Sequence, residues 1–116
     1  MPKPIQEFIK EVKDECRCLD AHAAREFYDG TPGTMIIDVR EPAEAEKGKL
    51  QQSINIPRGV LEMKITELCP DDDLPILLHC AAGGRAALAA KSLQDMGYRN
   101  VRIIDAAFDE IMTAFP

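Results

Sequence analysis

Three short apolar runs set what this chain can fold into. Met35-Ile36-Ile37-Asp38-Val39, Pro75-Ile76-Leu77-Leu78-His79 and Val101-Arg102-Ile103-Ile104 have strand length. The first and third are rich in β-branched residues. Near-continuous apolarity suits strands covered on both faces, not half-solvated ones. Between the runs lie stretches of helical spacing. Ile5, Phe8, Ile9, Val12 and Cys16 make one stripe, which predicts a helix over residues 4–16 starting at Pro4. A short extended piece, 17–19, follows, and Asp20 can cap a second helix ending near Gly30. Glu41 to Gly48 reads as a short helix or loop, and Ser53 to Ile56 as a further strand stopped by Pro57. Val60 to Leu68 is a candidate helix. So is Ala86 to Met96, with Ala86, Ala89, Ala90, Leu93 and Met96 inward and Gly97 as left-handed cap. Ala106 to Phe115 closes the chain as a helix.

Strands separated by helices pair in parallel through crossovers. The predicted fold is an α/β three-layer domain, a mostly parallel sheet of about five strands with helices on both faces. Residues 1–17 are expected to form an amphipathic helix packed on a domain of residues 18–116; a dimer contact is the alternative use of its stripe. The chain has 116 residues, 46% of them hydrophobic, enough for one core. Its net charge is −6, without a basic cluster, which speaks against nucleic acid. No apolar run reaches membrane-span length and the N-terminus has no secretory pattern. Four irregularly spaced cysteines read as thiols in a reducing compartment, hence an expected cytoplasmic location.

One junction carries chemistry. The strand ending at His79 runs into Cys80-Ala81-Ala82-Gly83-Gly84-Arg85 and then an Ala-rich helix. Small residues and glycines let backbone N–H groups turn inward around one point, and the helix start adds more of them. Such donors push a thiol towards thiolate, because they stabilise only the charged form. Arg85 can brace this loop or add fixed positive charge. The bland alternative is a buried Cys before an ordinary Gly-Gly turn.

At these residues the chain resembles a known family. Ile36-Ile37-Asp38-Val39-Arg40-Glu41-Pro42, Ser53-Ile54-Asn55-Ile56-Pro57, Cys80-x-x-Gly83-x-Arg85 and Met96-Gly97-Tyr98-x-Asn100-Val101 are similar, in order, to the signatures of the rhodanese family of single-domain sulfurtransferases. The resemblance runs from about Leu19 to the C-terminus. It implies a rhodanese-like fold and a Cys80 nucleophile that carries sulfane sulfur as a persulfide. It further implies an active-site loop of Ala81, Ala82, Gly83, Gly84 and Arg85, and no metal or organic cofactor. Thiosulfate is the family's usual assay donor and cyanide its usual assay acceptor. The implied partners are small sulfur-containing anions and an acceptor thiol or protein. A monomer or weak homodimer is expected, with no nucleic-acid or membrane partner.

Many members carry a basic residue early in the loop, where Ala81 and Ala82 are neutral. A doubly charged donor therefore finds fewer partners, and a persulfide or polysulfide donor stays open. Two other classes are carried along. One is a non-enzymatic sulfur-relay or protein-interaction module; the other is a phosphatase or arsenate-reductase-like enzyme, whose loop in this fold is one residue longer. Asp38 and Arg40 are expected to organise the sheet end as an ion pair. Arg58 either points into the pocket or lies solvated on the surface. His79 should face away from Cys80, because neighbours on a strand alternate faces. Cys16-Arg17-Cys18 is too close for a comfortable disulfide and weak as a metal motif, and Cys69 stays open as a resolving thiol.

Overall fold

The computed structural model describes residues 1–116. Its elements in chain order are α1 (Ile5–Glu15), β1 (Arg17–Leu19), α2 (Ala21–Gly30), β2 (Met35–Asp38), α3 (Pro42–Lys47) and β3 (Ser53–Asn55). A 3-10 turn (Arg58–Val60), α4 (Leu61–Leu68), β4 (Ile76–His79), α5 (Gly84–Asp95), β5 (Val101–Ile104) and α6 (Phe108–Ala114) follow. The strands form one five-stranded sheet in the order β1-β5-β4-β2-β3. Every pairing is parallel, as the predicted crossovers require.

Alternation along the strands divides the core into two. Ile37, Leu78, Cys80 and Ile103 face one way, joined by Val12 of α1, Leu61 and Ile65 of α4 and the buried alanines of α5. Ile36, Leu77 and Ile104 face the other way, against Ala24 of α2 and Ile111 and Phe115 near α6. The carboxyl ends of β2, β4 and β5 meet on one rim, the usual ligand edge of such a sheet.

Several element boundaries depart from the expectations by a residue or two. Pro4 caps α1 instead of opening it, with extended backbone at φ −60°, ψ 144°. Helix α5 starts at Gly84, two residues before Ala86, because Gly83 adopts φ +100° and turns the chain into helix at once. Met96 lies 42% exposed, since α5 ends at Asp95 and Gly97 follows at φ +106°. Helix α6 begins at Phe108, because the Phe108 N–H is held by the Ala81 carbonyl at 2.9 Å. The stripe of α1 is only partly covered: Val12 is buried, whereas Ile5 is 56% exposed.

Candidate active site

Cys80 is the first residue past β4. Its Sγ receives the Gly83 N–H at 3.1 Å and the Ala86 N–H at 3.4 Å. The side chain is buried, yet the loop hydrogens point at the sulfur and not away from it. Such donors make the sulfur a hydrogen-bond acceptor instead of a mere apolar contact. Gly83 is needed for this: no L-residue adopts φ +100° without strain, and that turn aims its N–H inward. Ala81 is partly exposed, Ala82 exposed and Gly84 partly buried, so the loop itself forms the outer surface over the sulfur.

Arg85 does not point its guanidinium at Cys80. It pairs bidentately with Glu44 of α3, Nη1 to Oε1 at 2.6 Å and Nη2 to Oε2 at 3.1 Å. The Arg85 hydrogen bonds hold the Glu44 carboxyl down at about 2, and Glu44 in turn pushes the Arg85 guanidinium up. Glu44 Oε1 also accepts the Glu41 N–H at 3.0 Å, which fixes the start of α3. Both side chains are about a third exposed, so this pair adds little stability; it clamps the loop's end to α3. The sequence reading missed Glu44, whose one local signal is the Glu41-x-x-Glu44 spacing of a capping box.

Asp38 and Arg40 lie beneath the rim as a buried pair. Arg40 donates Nη2 to Asp38 Oδ2 at 2.8 Å and Nε to Oδ1 at 3.0 Å, and its backbone N–H also reaches Oδ1 at 3.0 Å. Nη2 further donates to the Gly48 carbonyl at 2.7 Å. The guanidinium lies 3.9 Å over the centre of the Phe108 ring. Asn55 completes this corner by donating to the backbone oxygens of Asp38 and Arg40. Phe108, which the sequence did not single out, joins the Arg40 corner to the Cys80 loop through its bond to Ala81.

Arg58 is placed elsewhere. Its Nη1 pairs with Glu62 Oε2 at 2.8 Å, one turn along, and it borders a depression with Phe8, Leu88 and Lys91 that includes no loop residue. Cys69 is fully buried with its Sγ 3.0 Å from Met35 Sδ, at the opposite end of the sheet from Cys80. That removes it as a resolving thiol. Burial is the main cause that pushes Cys16, Cys18 and Cys69 upward, so all three are poor thiolates.

His79 faces the side away from Cys80, stacked on Phe108 at 5.9 Å. Its Nδ1 lies 3.2 Å from the Cys80 carbonyl, while Nε2 is buried without a hydrogen bond, 4.0 Å from Asp38 Oδ1. Burial lowers its proton affinity more than Asp38 raises it, so the folded protein keeps it neutral. An unfolded His binds a proton near pH ~6.5. Stability is therefore expected to fall as pH drops from about 7.5 to 5.5, where only the unfolded chain takes up that proton. Thermal melting across this window should show the drop in the parent and a flatter profile in His79→Leu; equal slopes would contradict it.

The rhodanese-like domain family model matches residues 19–114. The chain belongs to the rhodanese family. It is 30% identical over 83 residues to "Putative sulfur carrier protein YrkF" of Bacillus subtilis, covering 72% of this chain and 44% of that protein. It is 34% identical over 65 residues to thiosulfate sulfurtransferase PspE of Escherichia coli, covering 56% and 62% of the two chains. It thus spans less than two thirds of either relative. The solved structure of RPA3614 from Rhodopseudomonas palustris, described as of unknown function and a possible tyrosine phosphatase, matches with a TM-score of 0.87. That match has 30% identity and covers 98% of this chain and 92% of the other. This rhodanese domain has no helix long and apolar enough to cross a membrane.

Proposed function

We propose that the protein is a sulfurtransferase in which Cys80 carries sulfane sulfur as a persulfide. The observation that supports this most is the pair of inward N–H groups, Gly83 and Ala86, on the Cys80 sulfur. In the proposed cycle the Cys80 thiolate attacks the outer sulfur of a donor. The donor's S–S bond breaks and its electron pair leaves with the inner sulfur, as sulfite from thiosulfate or as a thiolate from a persulfide or polysulfide. The new persulfide keeps one negative charge, which the N–H groups of Gly83 and Ala86 stabilise. An acceptor, cyanide or a thiolate, then attacks the outer sulfur and Cys80 departs again as thiolate. No general base is needed once the thiol has ionised, which agrees with His79 lying on the other face. Asp38 and Arg40 serve as support for the rim, and Arg58 takes no part. The four free cysteines suit a reducing, cytoplasmic setting.

The neighbour described as a possible tyrosine phosphatase keeps a second reading in view. Two observations weigh against it here. Only four residues separate Cys80 from Arg85, and the Arg85 guanidinium is engaged by Glu44 and not left free for a tetrahedral anion. The test is turnover. With thiosulfate and with polysulfide as donors, thiocyanate should form from cyanide and vanish in Cys80→Ala. Hydrolysis of an aryl phosphate without thiocyanate formation would overturn the assignment. A Cys80 persulfide that neither cyanide nor small thiols discharge would instead mark a relay for a protein acceptor.

A further inference from the structure

Three carboxylates near the Cys80 loop are each matched by a cation. Glu44 is paired with Arg85 and Asp38 with Arg40. The third is Asp105, in the turn after β5, and its partner comes from the other end of the chain: Lys13 Nζ of α1, 2.9 Å from Oδ1. This third pair stands directly behind the loop. A Cβ added to Gly83 would lie 2.6 Å from Asp105 Oδ1 and 3.2 Å from Lys13 Nζ. The same glycine gives its N–H to Cys80 Sγ. Lys13 lies on α1, outside the residues matched by the rhodanese family model, and on the same helix Ile9 Cδ1 would lie 3.2 Å from a Cβ added to the next loop glycine, Gly84.

We propose that Lys13 and Asp105 are positioning residues for the Cys80 loop. The pair stands behind Gly83, and Lys13 cancels a carboxylate charge that would otherwise oppose an anion on sulfur. The loop lacks a cation at Ala81 and Ala82, and Arg85 is committed to Glu44. An unpaired Asp105 would therefore act on the sulfur with little opposing it. The remaining groups around the site do not fill this role. His79 is held neutral by burial, Arg40 is committed to Asp38, and Cys18, which also feels Asp105, is kept a neutral thiol. The inference rests on Cys80 working as an anion, and so on the sulfurtransferase reading.

The test is the alkylation rate of Cys80 at pH 7 in low salt, read by peptide mass mapping so that the other thiols are separated. Iodoacetamide serves as the neutral probe and iodoacetate as the anionic one. Lys13→Met should slow iodoacetamide on the order of fivefold, the scale of one uncompensated, partly screened charge near an ionising group. Iodoacetate should slow further, because the probe is itself repelled. Lys13→Arg should stay near the parent, and Lys13→Met with Asp105→Asn should recover most of the rate. Asp105→Asn alone, which leaves the cation unopposed, should exceed the parent and stands as the test if Lys13→Met melts too low to assay; a rate at or below the parent there overturns the proposal. A parental rate in Lys13→Met overturns the proposal. So does a double variant as slow as the single one, which would show a purely structural prop. Alkylation needs no sulfur donor, so failure of sulfur transfer with a normal charge effect would sink the sulfurtransferase reading alone.

Discussion

Replacing Asp38 by Ala is expected to lower the unfolding free energy by about 3–5 kcal/mol. The carboxylate is fully buried and receives four hydrogen bonds from Arg40, which is itself 5% exposed. Removing one partner of a buried pair leaves the other charge without compensation, which costs more than the intact pair contributes. Arg40 would keep the Gly48 carbonyl and the Phe108 ring, which puts the expected loss at the lower end of that range. Urea titration measures the loss, with the transition midpoint falling at unchanged slope. A loss below about 1 kcal/mol would mean that the pair behaves as a surface one. The substitution should also loosen the Cys80 loop, since Arg40 packs on Phe108 and Phe108 is bonded to Ala81.

Gly83→Ala is the second change of large effect, and it falls on function more than on stability. A side chain at φ +100° strains the backbone by about 1–2 kcal/mol. The new methyl would also meet Asp105 Oδ1 at 2.6 Å. That oxygen ends a flexible side chain and can swing away, but only by leaving Lys13. If the backbone relaxes instead, the N–H swings off the sulfur. Losing one preorganised donor to a developing anion typically costs on the order of 100-fold in rate. A loss of at least tenfold in sulfur transfer is therefore expected, with a modest fall in melting temperature. Gly84→Ala is the matched control, because its methyl would meet only Ile9 Cδ1 at 3.2 Å, on a side chain that can yield. Equal rates in the two variants would show that the Gly83 N–H is not what holds the sulfur.

Much of this molecule was legible in the sequence, and the illegible parts share a cause. The three apolar runs became β2, β4 and β5, because a strand buried on both faces leaves an almost unbroken apolar signal. Asp20 caps α2 through the Ala23 N–H at 2.8 Å, as its position foretold. The N–H groups converging on Cys80 followed from glycines at a strand-to-helix junction, which is local information. Arg58 was undecidable from sequence, since Glu62 one turn ahead competes with the pocket for its charge. Glu44 and Asp105 were missed for a different reason. Their partners lie 41 and 92 residues away, and no periodicity records a contact made only when the sheet closes. Phe108 was read as part of a closing helix, and its place against Arg40 depends on where that helix begins.

The most direct test of the account is where a donated sulfur lands. The protein is treated with polysulfide, freed of excess donor and mapped by mass, with Cys80→Ala in parallel. Cys18 is exposed whereas Cys80 is only 2% exposed, so simple accessibility would load Cys18 first. One added sulfur atom is expected, on Cys80, lost on treatment with cyanide and absent from the variant. Sulfur found on Cys18 and not on Cys80, or on no thiol at all, would contradict it.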